Sequence, residues 1–517
     1  KFGGDTDNWM WPRHTGDFSV FRVYAAADGT TPADYSPENV PYRAPVHLTV
    51  SAKGYKDGDF TMIMGFPGTT TRYMTTYEID EMLDVANPNR ILIRGERQKI
   101  LKEDMEASDR VRIQYSDKYA NSSNYWKNSI GKSKAVRKLG IRDRRQEQEA
   151  AFTRWAQADP ARSEYLRALP LIAASKEVSV PLESDRQVLR EAIVSSVEVA
   201  SIAAVLSRAL PDLLSAEPLA AEETIAAVYK DYNEPTDRKV AKRMIELTME
   251  MVSPDNMPEF ITTEVEGRFG GDVQAYVDWL YDNSIYANRE KLESYLAGGG
   301  ELPADDPALM VFNTTVAKHN GLVEQLREPA MQFAEGHKLY IKGLLEMDAD
   351  GKHYPDANFT IRLTYGNVKS YSPADAVDYD YFTTLTGVME KEDELNPTEF
   401  TVPEKLKELY IEQDYGPYAD LSGLTRKEIR NGAKGHVNTC FISTNDITGG
   451  NSGSPVLNDR GQLIGLAFDG NWDAMSGDVL FEPELQRCIN VDVRYVLFVI
   501  DKFAGAGHLL DEMTIEW

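Results

Sequence analysis

The sequence predicts a multidomain α+β protein in which a long helical segment interrupts a β-rich chain. The chain has 517 residues, which is more than one ordinary hydrophobic core accommodates. Strand-like apolar runs occur before about residue 70 and return after about residue 355. Between them the apolar residues recur at helical spacing, so we expect an all-α domain over residues 71–354.

The first β segment, residues 1–70, is expected to contain three strands. Phe18, Val20 and Phe21–Tyr24 form the first, and Val46–Val50 form the second. Phe60–Met64 form the third, which ends at a turn of glycine and proline. Three strands cannot close a barrel and would leave unpaired edges, so we expect further strands upstream of this chain.

The middle segment shows helical periodicity. Val240, Met244, Leu247 and Met251 recur at i, i+4, i+7 and i+11 behind a start signal. Thr236 and Asp237, which precede this stripe, are the residues expected to begin the helix. Such an apolar stripe is typical of a helix packed against a core. Similar helical periodicity occurs over 183–214, 222–232, 272–296 and 307–347. We expect breaks in the helices at Pro211, Pro235, Pro254 and Gly298–Gly300.

The second β segment, residues 355–517, begins with strict alternation of apolar and polar residues. Phe359, Ile361, Leu363 and Tyr365 alternate with polar residues, and we expect Gly366-Asn367 to turn the chain back. The remaining expected strands lie at Val437–Ile442, Val456–Leu457, Leu463–Phe468 and Ile489–Val493, before a terminal helix over Arg494–Phe503.

Composition excludes several functions. The formal charge of −26 argues against nucleic acid, whose phosphates would be repelled. No apolar run reaches the roughly 18 residues of a membrane span. We expect no cofactor and no metal, because Asp348-Ala349-Asp350-Gly351 lacks the ligand spacing of a calcium loop. Cys440 and Cys488 allow at most one disulfide and do not decide whether it forms.

A glycine-rich loop with a serine lies between two of the expected strands. The stretch Thr448–Val456 resembles the nucleophile loop of chymotrypsin-like serine peptidases, although such residues also favour an ordinary hairpin turn. In that resemblance Ser452 is the nucleophile, and the N–H groups of Gly450 and Ser452 hold the oxyanion. Asn451 stands where trypsin-like zymogens carry an aspartate, so the resemblance is to peptidases without that activation switch.

Three motifs together resemble one family. These are the polar and aromatic stretch Gly3–Phe18, the serine motif Gly449–Val456 and the stretch Leu466–Trp472. The family comprises the bacterial dipeptidyl-peptidases 7 and 11, periplasmic serine exopeptidases with a chymotrypsin-like fold and a helical cap. The resemblance covers the whole chain.

The resemblance implies a double β-barrel with a large helical insertion. Residues 1–70 would be the C-terminal part of a first barrel that is incomplete here. Residues 71–354 would be the helical cap, and residues 355–517 the second barrel with the nucleophile. It further implies peptide substrates, a homodimer, and a periplasmic or cell-surface location.

The same resemblance assigns site residues. Asp17 falls on the aspartate of the catalytic triad. Gly470 stands where an arginine selects acidic P1 side chains in part of the family, so the resemblance implies a hydrophobic P1 preference. The residues that would bind the substrate N-terminus are Asn8, Trp9, Arg13, Asn124 and Asp469.

The family's catalytic histidine lies upstream of the Gly3-Gly4-Asp5 segment. We therefore expect the general base to lie upstream of this chain, because His14 matches no catalytic position. Two alternatives stay open. One is a chymotrypsin-fold endopeptidase without a site for a free N-terminus. The other is a catalytically inactive peptide-binding module, if the upstream histidine is physically absent.

Overall fold

A computed structural model describes residues 2–517, with the side chains of residues 216 and 218 left out of the description. The chain divides into two compact units. One contains the residues up to Tyr73 together with Tyr354–Trp517, and the other is Met74–His353. The hydroxyl of Tyr73 donates to the carbonyl of Tyr354 at 2.8 Å, so the points where the chain leaves and re-enters the first unit are adjacent. The two β segments therefore belong to one unit.

The second unit is helical. No single described helix is long and apolar enough to cross a membrane; Pro160–Val194 and Glu198–Ser215 pass that test only as a pair bent by 79°. Shorter 3₁₀ and π segments at Met82–Ala86, Pro160–Arg167, Leu189–Val194, Pro254–Asn256 and Ile261–Arg268 join the helices. The α-helices described in this unit are α1 Thr76–Glu81, α2 Asn87–Ala107, α3 Asp109–Lys138, α4 Ile141–Gln157, α5 Ala168–Val188, α6 Glu198–Ala216, α7 Pro218–Tyr229, α8 Glu234–Met251, α9 Val273–Asn283, α10 Arg289–Ala297, α11 Pro307–Gln325 and α12 Arg327–Met347.

Helix α8 shows how the predicted stripe packs. Val240, Met244 and Leu247 are buried in one large core cluster, as their spacing predicts. The start of α8 differs from the prediction, since Asn233 is the N-cap and its side chain accepts from the Thr236 N–H at 3.2 Å. The break expected at Pro211 is wrong. That proline lies inside α6, where the core packing of the preceding turns offsets the lost hydrogen bond.

The first unit contains the sheet. Its short helices are α13 Leu385–Glu390, α14 Glu404–Ile411, α15 Arg426–Arg430 and α16 Val493–Phe498, with 3₁₀ or π segments at Gly416–Tyr418, Trp472–Ser476, Val499–Phe503 and Gly507–Glu512. Its described strands are β1 Tyr24–Ala25, β2 Val40–Pro41, β3 Val50–Ser51, β4 Phe60–Gly65, β5 Arg362–Asn367, β6 Tyr371–Ala374, β7 Val377–Tyr379, β8 Phe382–Thr384, β9 Asn438–Ser443, β10 Pro455–Leu457, β11 Leu463–Gly470, β12 Cys488–Asp492 and β13 Ile515–Glu516.

Nine of the described strands form one mixed sheet. Seven follow the antiparallel order β5-β4-β10-β11-β12-β9-β8, and β3 pairs in parallel with both β11 and β13. Strand β4, expected in a first barrel, instead lies between two strands of the second segment, with Ile63 opposite both Val456 and Thr364. This placement satisfies both hydrogen-bonding edges of β4. The chymotrypsin-like double barrel remains a prediction.

Several expected β features of the first unit are wrong. Where the first two strands were predicted, the structure has only the short strands Tyr24–Ala25 and Val50–Ser51. Phe21, in the first predicted strand, is 88% exposed. A strand needs a neighbour, and the described residues supply no backbone partner to residues 18–22. Gly366-Asn367 does not turn, because Asn367 continues β5 opposite Phe60.

The two cysteines do not form a disulfide. Both are buried on neighbouring strands, but Cys440 lies opposite Val491 and Cys488 lies opposite Ser443. Burial raises the pKa of the Cys440 thiol to about 12. Both thiols are buried core side chains, and burial disfavours their thiolate forms.

Candidate active site

Ser452 lies in the loop between β9 and β10, which we call the nucleophile loop (residues 444–454). Ser452 is exposed, whereas Asn451 and Ser454 on either side are buried. One flank of the loop is fastened to β11. The Gly453 N–H donates to the Ala467 carbonyl at 2.7 Å, and the Ala467 N–H donates to the Ser454 carbonyl at 3.0 Å. The hydroxyl thus faces solvent on a backbone that is held in place.

The other flank of the nucleophile loop packs on the segment after β4. The Gly68 N–H donates to the Gly449 carbonyl at 2.6 Å. Gly450 has a φ of +104°, and a Cβ there would collide with the Phe66 carbonyl oxygen, so only glycine fits. Within the described residues, neither the Gly450 N–H nor the Ser452 N–H donates a hydrogen bond. Both donors are available to a ligand oxygen beside the serine, as an oxyanion hole requires.

Two partly buried polar contacts hold the start of the nucleophile loop. The Arg72 guanidinium donates to both carboxylate oxygens of Asp446, at 2.9 and 2.8 Å. The Thr448 hydroxyl donates to the Asp478 carboxylate at 2.6 Å. Burial raises the pKa of Asp446, although Arg72 opposes this. Sequence reasoning missed these residues because Arg72 and Asp446 are far apart in the chain and match no motif.

Three residues predicted to bind a substrate N-terminus meet at the end of β11. One carboxylate oxygen of Asp469 accepts the Trp9 N–H at 3.0 Å and also an N–H of Arg13. The other accepts the Gly470 N–H at 2.9 Å. The side chains of Arg13 and Asp469 are 1% and 8% exposed, and the guanidinium lies 5.2 Å from the centroid of the Phe468 ring. Arg13 therefore fixes the orientation of the Asp469 carboxylate from its buried side.

Gly470 lies under the ring of Trp9. A Cβ at Gly470 would lie 3.5 Å from a Trp9 ring carbon and 3.1 Å from the Ala474 Cβ. Trp9 itself has a φ of +64°, which is rare for a large side chain, and its N–H bond to Asp469 holds it there. Gly470 therefore lies in close contact with both the indole and the 3₁₀ segment at Trp472–Ser476.

The remaining predicted site residues are Asn8, Asp17 and Asn124. Asn8 is half-buried beside Trp9, and its N–H donates to the Asp5 carbonyl at 3.2 Å. Asp17 is exposed in an irregular segment of the first unit. Asn124 is half-buried on α3 in the helical unit. The roles of all three remain predictions.

His14 lies in an apolar environment. It lines a cavity of about 190 Å³ with Phe18 and Tyr495, and its imidazole packs so closely on Gly387 that a Cβ there would collide with it. Burial lowers its pKa to about 4, so the imidazole is neutral at pH 7. His436 stacks on Phe382 with ring centroids 5.6 Å apart. Each histidine has a packing role in these positions.

A model of the peptidase S46 family matches residues 1–515. Dipeptidyl-peptidase 7 of Phocaeicola vulgatus is 48% identical over 524 residues, covering all of this chain and 70% of that protein. Dipeptidyl-peptidase 7 of Porphyromonas endodontalis is 40% identical over all of this chain and 61% of its own length. An Asp/Glu-specific dipeptidyl-peptidase of Porphyromonas gingivalis is also 40% identical, over all of this chain and 71% of its own length.

Solved structures agree with the sequence matches. DPP11 of Porphyromonas endodontalis, in complex with the dipeptide Arg-Glu, superposes with a TM-score of 0.88 at 36% identity, covering all of this chain and 73% of that chain. The chain thus spans about two thirds of the length of its relatives. The resemblance to dipeptidyl-peptidases 7 and 11 is confirmed, and the chain belongs to the peptidase S46 family.

Proposed function

We propose that this chain supplies the nucleophile, the oxyanion donors and the N-terminus site of a serine dipeptidyl-peptidase. The observation that carries the proposal is the placement of Asp469. Its carboxylate, held by Trp9 and Arg13, lies two residues along β11 from Ala467, which fastens the nucleophile loop. A fixed carboxylate on the strand beside the serine suits a substrate whose ammonium group lies a short distance from the cleaved bond.

The chemistry follows from the serine loop. The Ser452 oxygen attacks the carbonyl carbon of the second substrate residue, and the Gly450 and Ser452 N–H groups stabilise the oxyanion. The amide C–N bond then breaks, the leaving amine takes the proton that the Ser452 hydroxyl gave to the general base, and an ester on Ser452 remains. Water hydrolyses the ester and releases the dipeptide. In this proposal Asp17 orients the imidazole of the general base and stabilises its charged form.

Recognition of the N-terminus needs a negative partner. An ammonium that enters a partly dry site loses hydration, so a carboxylate must replace that interaction. Asp469 supplies the charge, and Arg13 fixes the orientation of its carboxylate from the buried side. We assign Asn8 as an amide oxygen that accepts from the same ammonium, and the assignment of Asn124 to N-terminus binding rests on the resemblance alone.

We also propose a hydrophobic P1 preference. Gly470 adjoins the Trp9 ring and Ala474, both apolar, and glycine at this position adds no cation beside them. Relatives of this chain include proteins named dipeptidyl-peptidase 7 and proteins named Asp/Glu-specific dipeptidyl-peptidase. The P1 preference within the family therefore depends on local residues, and Gly470 is the position we assign.

The decisive experiment compares one peptide with a free and an acetylated N-terminus. In the complete enzyme, Asp469→Asn should lower kcat/KM for the free peptide by about thirtyfold or more, because an unpaired buried charge costs roughly 2–5 kcal/mol. The acetylated peptide, already a poor substrate, should change little. Ser452→Ala is the inactive control.

The same assay separates the alternatives. Equal cleavage of both peptides by the unaltered enzyme would contradict a dipeptidyl-peptidase and favour the endopeptidase. Peptide binding without any hydrolysis, in a protein of verified intact mass, would favour the binding module.

Assembly and location are also proposals. We propose a homodimer in the bacterial periplasm or at the cell surface, as the resemblance implies. Light scattering of the purified protein measures the assembly, and fractionation of cells measures the location.

A further inference from the structure

The β11–β12 loop, residues 471–487, begins directly after Gly470. Its first turn is the 3₁₀ segment Trp472–Ser476, next to which the Ala474 N–H donates to the Asn471 carbonyl at 2.9 Å. A Cβ at Gly470 would lie 3.1 Å from the Ala474 Cβ, so this loop is in contact with the position assigned to P1. In the proposed function, a P1 side chain beside Gly470 therefore packs against the start of the loop.

Asn471 joins the two ends of the β11–β12 loop. It is fully buried, and its backbone N–H donates to the Arg487 carbonyl at 3.1 Å. Its side-chain oxygen accepts the Arg487 N–H at 2.9 Å, and its side-chain amide donates to the Leu485 carbonyl at 2.8 Å. These three bonds keep the start and the end of the loop side by side.

The Arg487 side chain fills the interior of the same loop. It is 1% exposed, and its guanidinium donates to the carbonyls of Pro483 and Gln486, each at 2.8 Å. It also donates to the carbonyls of Lys369 and Ser370, at 3.0 and 2.9 Å. Separating buried hydrogen-bonded groups costs the desolvation of each, so these contacts make the loop a rigid unit. They lie inside the molecule and do not depend on which of its faces are exposed.

Asp478, in the middle of the β11–β12 loop, contacts the nucleophile loop. Its carboxylate accepts the Thr448 hydroxyl at 2.6 Å, and its backbone carbonyl accepts the Thr71 N–H at 2.7 Å. Hydrogen bonds to a carboxylate are among the stronger ones in proteins. The loop that adjoins Gly470 is thus fastened to the loop that carries Ser452.

Thr448 also holds the turn that leads to Ser452. Its carbonyl accepts the backbone N–H of Asn451 at 3.1 Å and the side-chain amide of Asn451 at 3.2 Å. Asn451 is 3% exposed and directly precedes Ser452. The same turn contains Gly450, whose N–H is one of the two proposed oxyanion donors, and Ser452 supplies the other. The hydroxyl bond to Asp478 therefore fixes the residue on which the orientation of both donors depends.

We propose that Asp478 is a positioning residue that couples the P1 side chain to the oxyanion donors through Thr448. This inference rests on the proposed function. A P1 side chain packed on the rigid β11–β12 loop favours the position in which Asp478 holds Thr448. That position orients the two N–H donors toward the reacting carbonyl oxygen. Part of the binding energy of the P1 side chain is therefore realised only in the transition state and appears in the rate of acylation.

The test compares two dipeptidyl coumarin amides that differ only at P1, one with Leu and one with Ala. Single turnovers with the complete enzyme in excess, followed by the fluorescence of the released coumarin, separate the acylation rate from the dissociation constant. We expect the unaltered enzyme to be acylated about tenfold faster by the Leu substrate, since the larger apolar side chain buries more surface against the loop.

The main variant is Thr448→Val, which removes the hydroxyl and keeps the branched shape of the side chain. It should lower the acylation rate about thirtyfold for the Leu substrate and about threefold for the Ala substrate, so that the preference disappears. Both dissociation constants should change less than about twofold. Asp478→Asn keeps an acceptor for the Thr448 hydroxyl and should retain the preference, whereas Asp478→Ala removes the acceptor and should lose it.

Thr31→Val is the matched control. The Thr31 hydroxyl donates to the Asp28 carboxylate at 2.6 Å, within one turn of the first unit. The change thus removes the same kind of hydrogen bond, and both acylation rates should stay as they are. Thermal unfolding of each variant checks that the fold is retained, and Asp478→Ala makes the same comparison if Thr448→Val does not fold.

Three results would overturn the inference. Equal losses for the two substrates in Thr448→Val and Asp478→Ala would show that the bond supports the nucleophile loop irrespective of P1. Unchanged rates in these variants would show that the bond has no part in catalysis. A preference that resides in the dissociation constants and not in the acylation rates would show that P1 binding does not reach the donors. Failure of the proposed function is visible separately, because the unaltered enzyme would then cleave neither amide or distinguish them in neither constant.

Discussion

At residue 470 the absence of a side chain defines the proposed P1 site. An arginine there would bring a cation to a position that adjoins the Trp9 ring and Ala474. In the complete enzyme, Gly470→Arg should lower kcat/KM for peptides with Leu or Phe at P1 and raise it for Asp or Glu. An arginine–carboxylate pair in a partly dry pocket contributes a few kcal/mol, although burial of the arginine offsets part of this.

The measurement is the ratio of acidic to hydrophobic turnover, because a ratio is insensitive to a general loss of activity. Gly470→Ala is the control, since it adds a methyl group and no charge. An unchanged ratio in the arginine variant would place the P1 pocket elsewhere.

At the scale of single elements, the nucleophile loop depends on the ion pair between Arg72 and Asp446. In the complete enzyme, Asp446→Asn should leave the fold intact and lower kcat by about tenfold, because Arg72 loses its charged partner and the loop loses its anchor. Because loss of a positioning contact affects the reacting geometry more than substrate binding, KM should change little. Glu335→Gln, which breaks an exposed pair with Arg167, should have no effect. A rise in KM with unchanged kcat would contradict a positioning role.

The first N–H groups of helix α6 donate to the buried carboxylate of Asp237. Asp237 accepts the Glu198 and Val199 N–H groups at 2.9 and 2.8 Å and the Tyr281 hydroxyl at 2.7 Å. Burial, with the nearby charge of Glu198, raises its pKa to about 7. A raised pKa means that the folded state binds the proton more tightly than the unfolded state. The stabilisation is therefore present below about pH 4 and is lost as the pH rises through about 7.

The free energy of unfolding should reflect this proton. Across about pH 4 to 7, the difference between the unaltered protein and Asp237→Asn should decrease by at most about 4 kcal/mol, since one pKa unit corresponds to about 1.4 kcal/mol. Chemical denaturation at several pH values measures it. A difference that does not depend on pH would show that Asp237 is charged in the folded state throughout this range.

At the scale of the whole molecule, the helical unit is a continuous insertion with its own core. Residues 74–353 contain one large buried cluster, and Tyr73 meets Tyr354 at the point of insertion. We expect residues 74–353, produced alone, to fold with a cooperative thermal transition and a helical circular dichroism spectrum. A broad, non-cooperative transition with strong binding of a hydrophobic dye would contradict this.

Local patterns in the sequence were sufficient to predict the order of β, helical and β segments, the apolar stripe of α8 and the strands around Ser452. These features depend on side-chain periodicity and on glycine at fixed positions, which are properties of neighbouring residues. The motifs around Trp9, Ser452 and Asp469 were enough to identify the family. The first two strands were overpredicted, because an extended apolar run becomes a strand only where a partner lies alongside it.

Only the tertiary structure decided the contacts between residues that are distant in the chain. It placed β4 between β5 and β10, and it brought Arg72 to Asp446. It showed that Arg13, expected to contact the substrate, is buried against Asp469. It also exposed the Phe359 ring beside Gly68. Hydrogen bonds and ion pairs of this kind leave no periodic signal, since each is fixed by the packing of the whole sheet and not by the residues next to it.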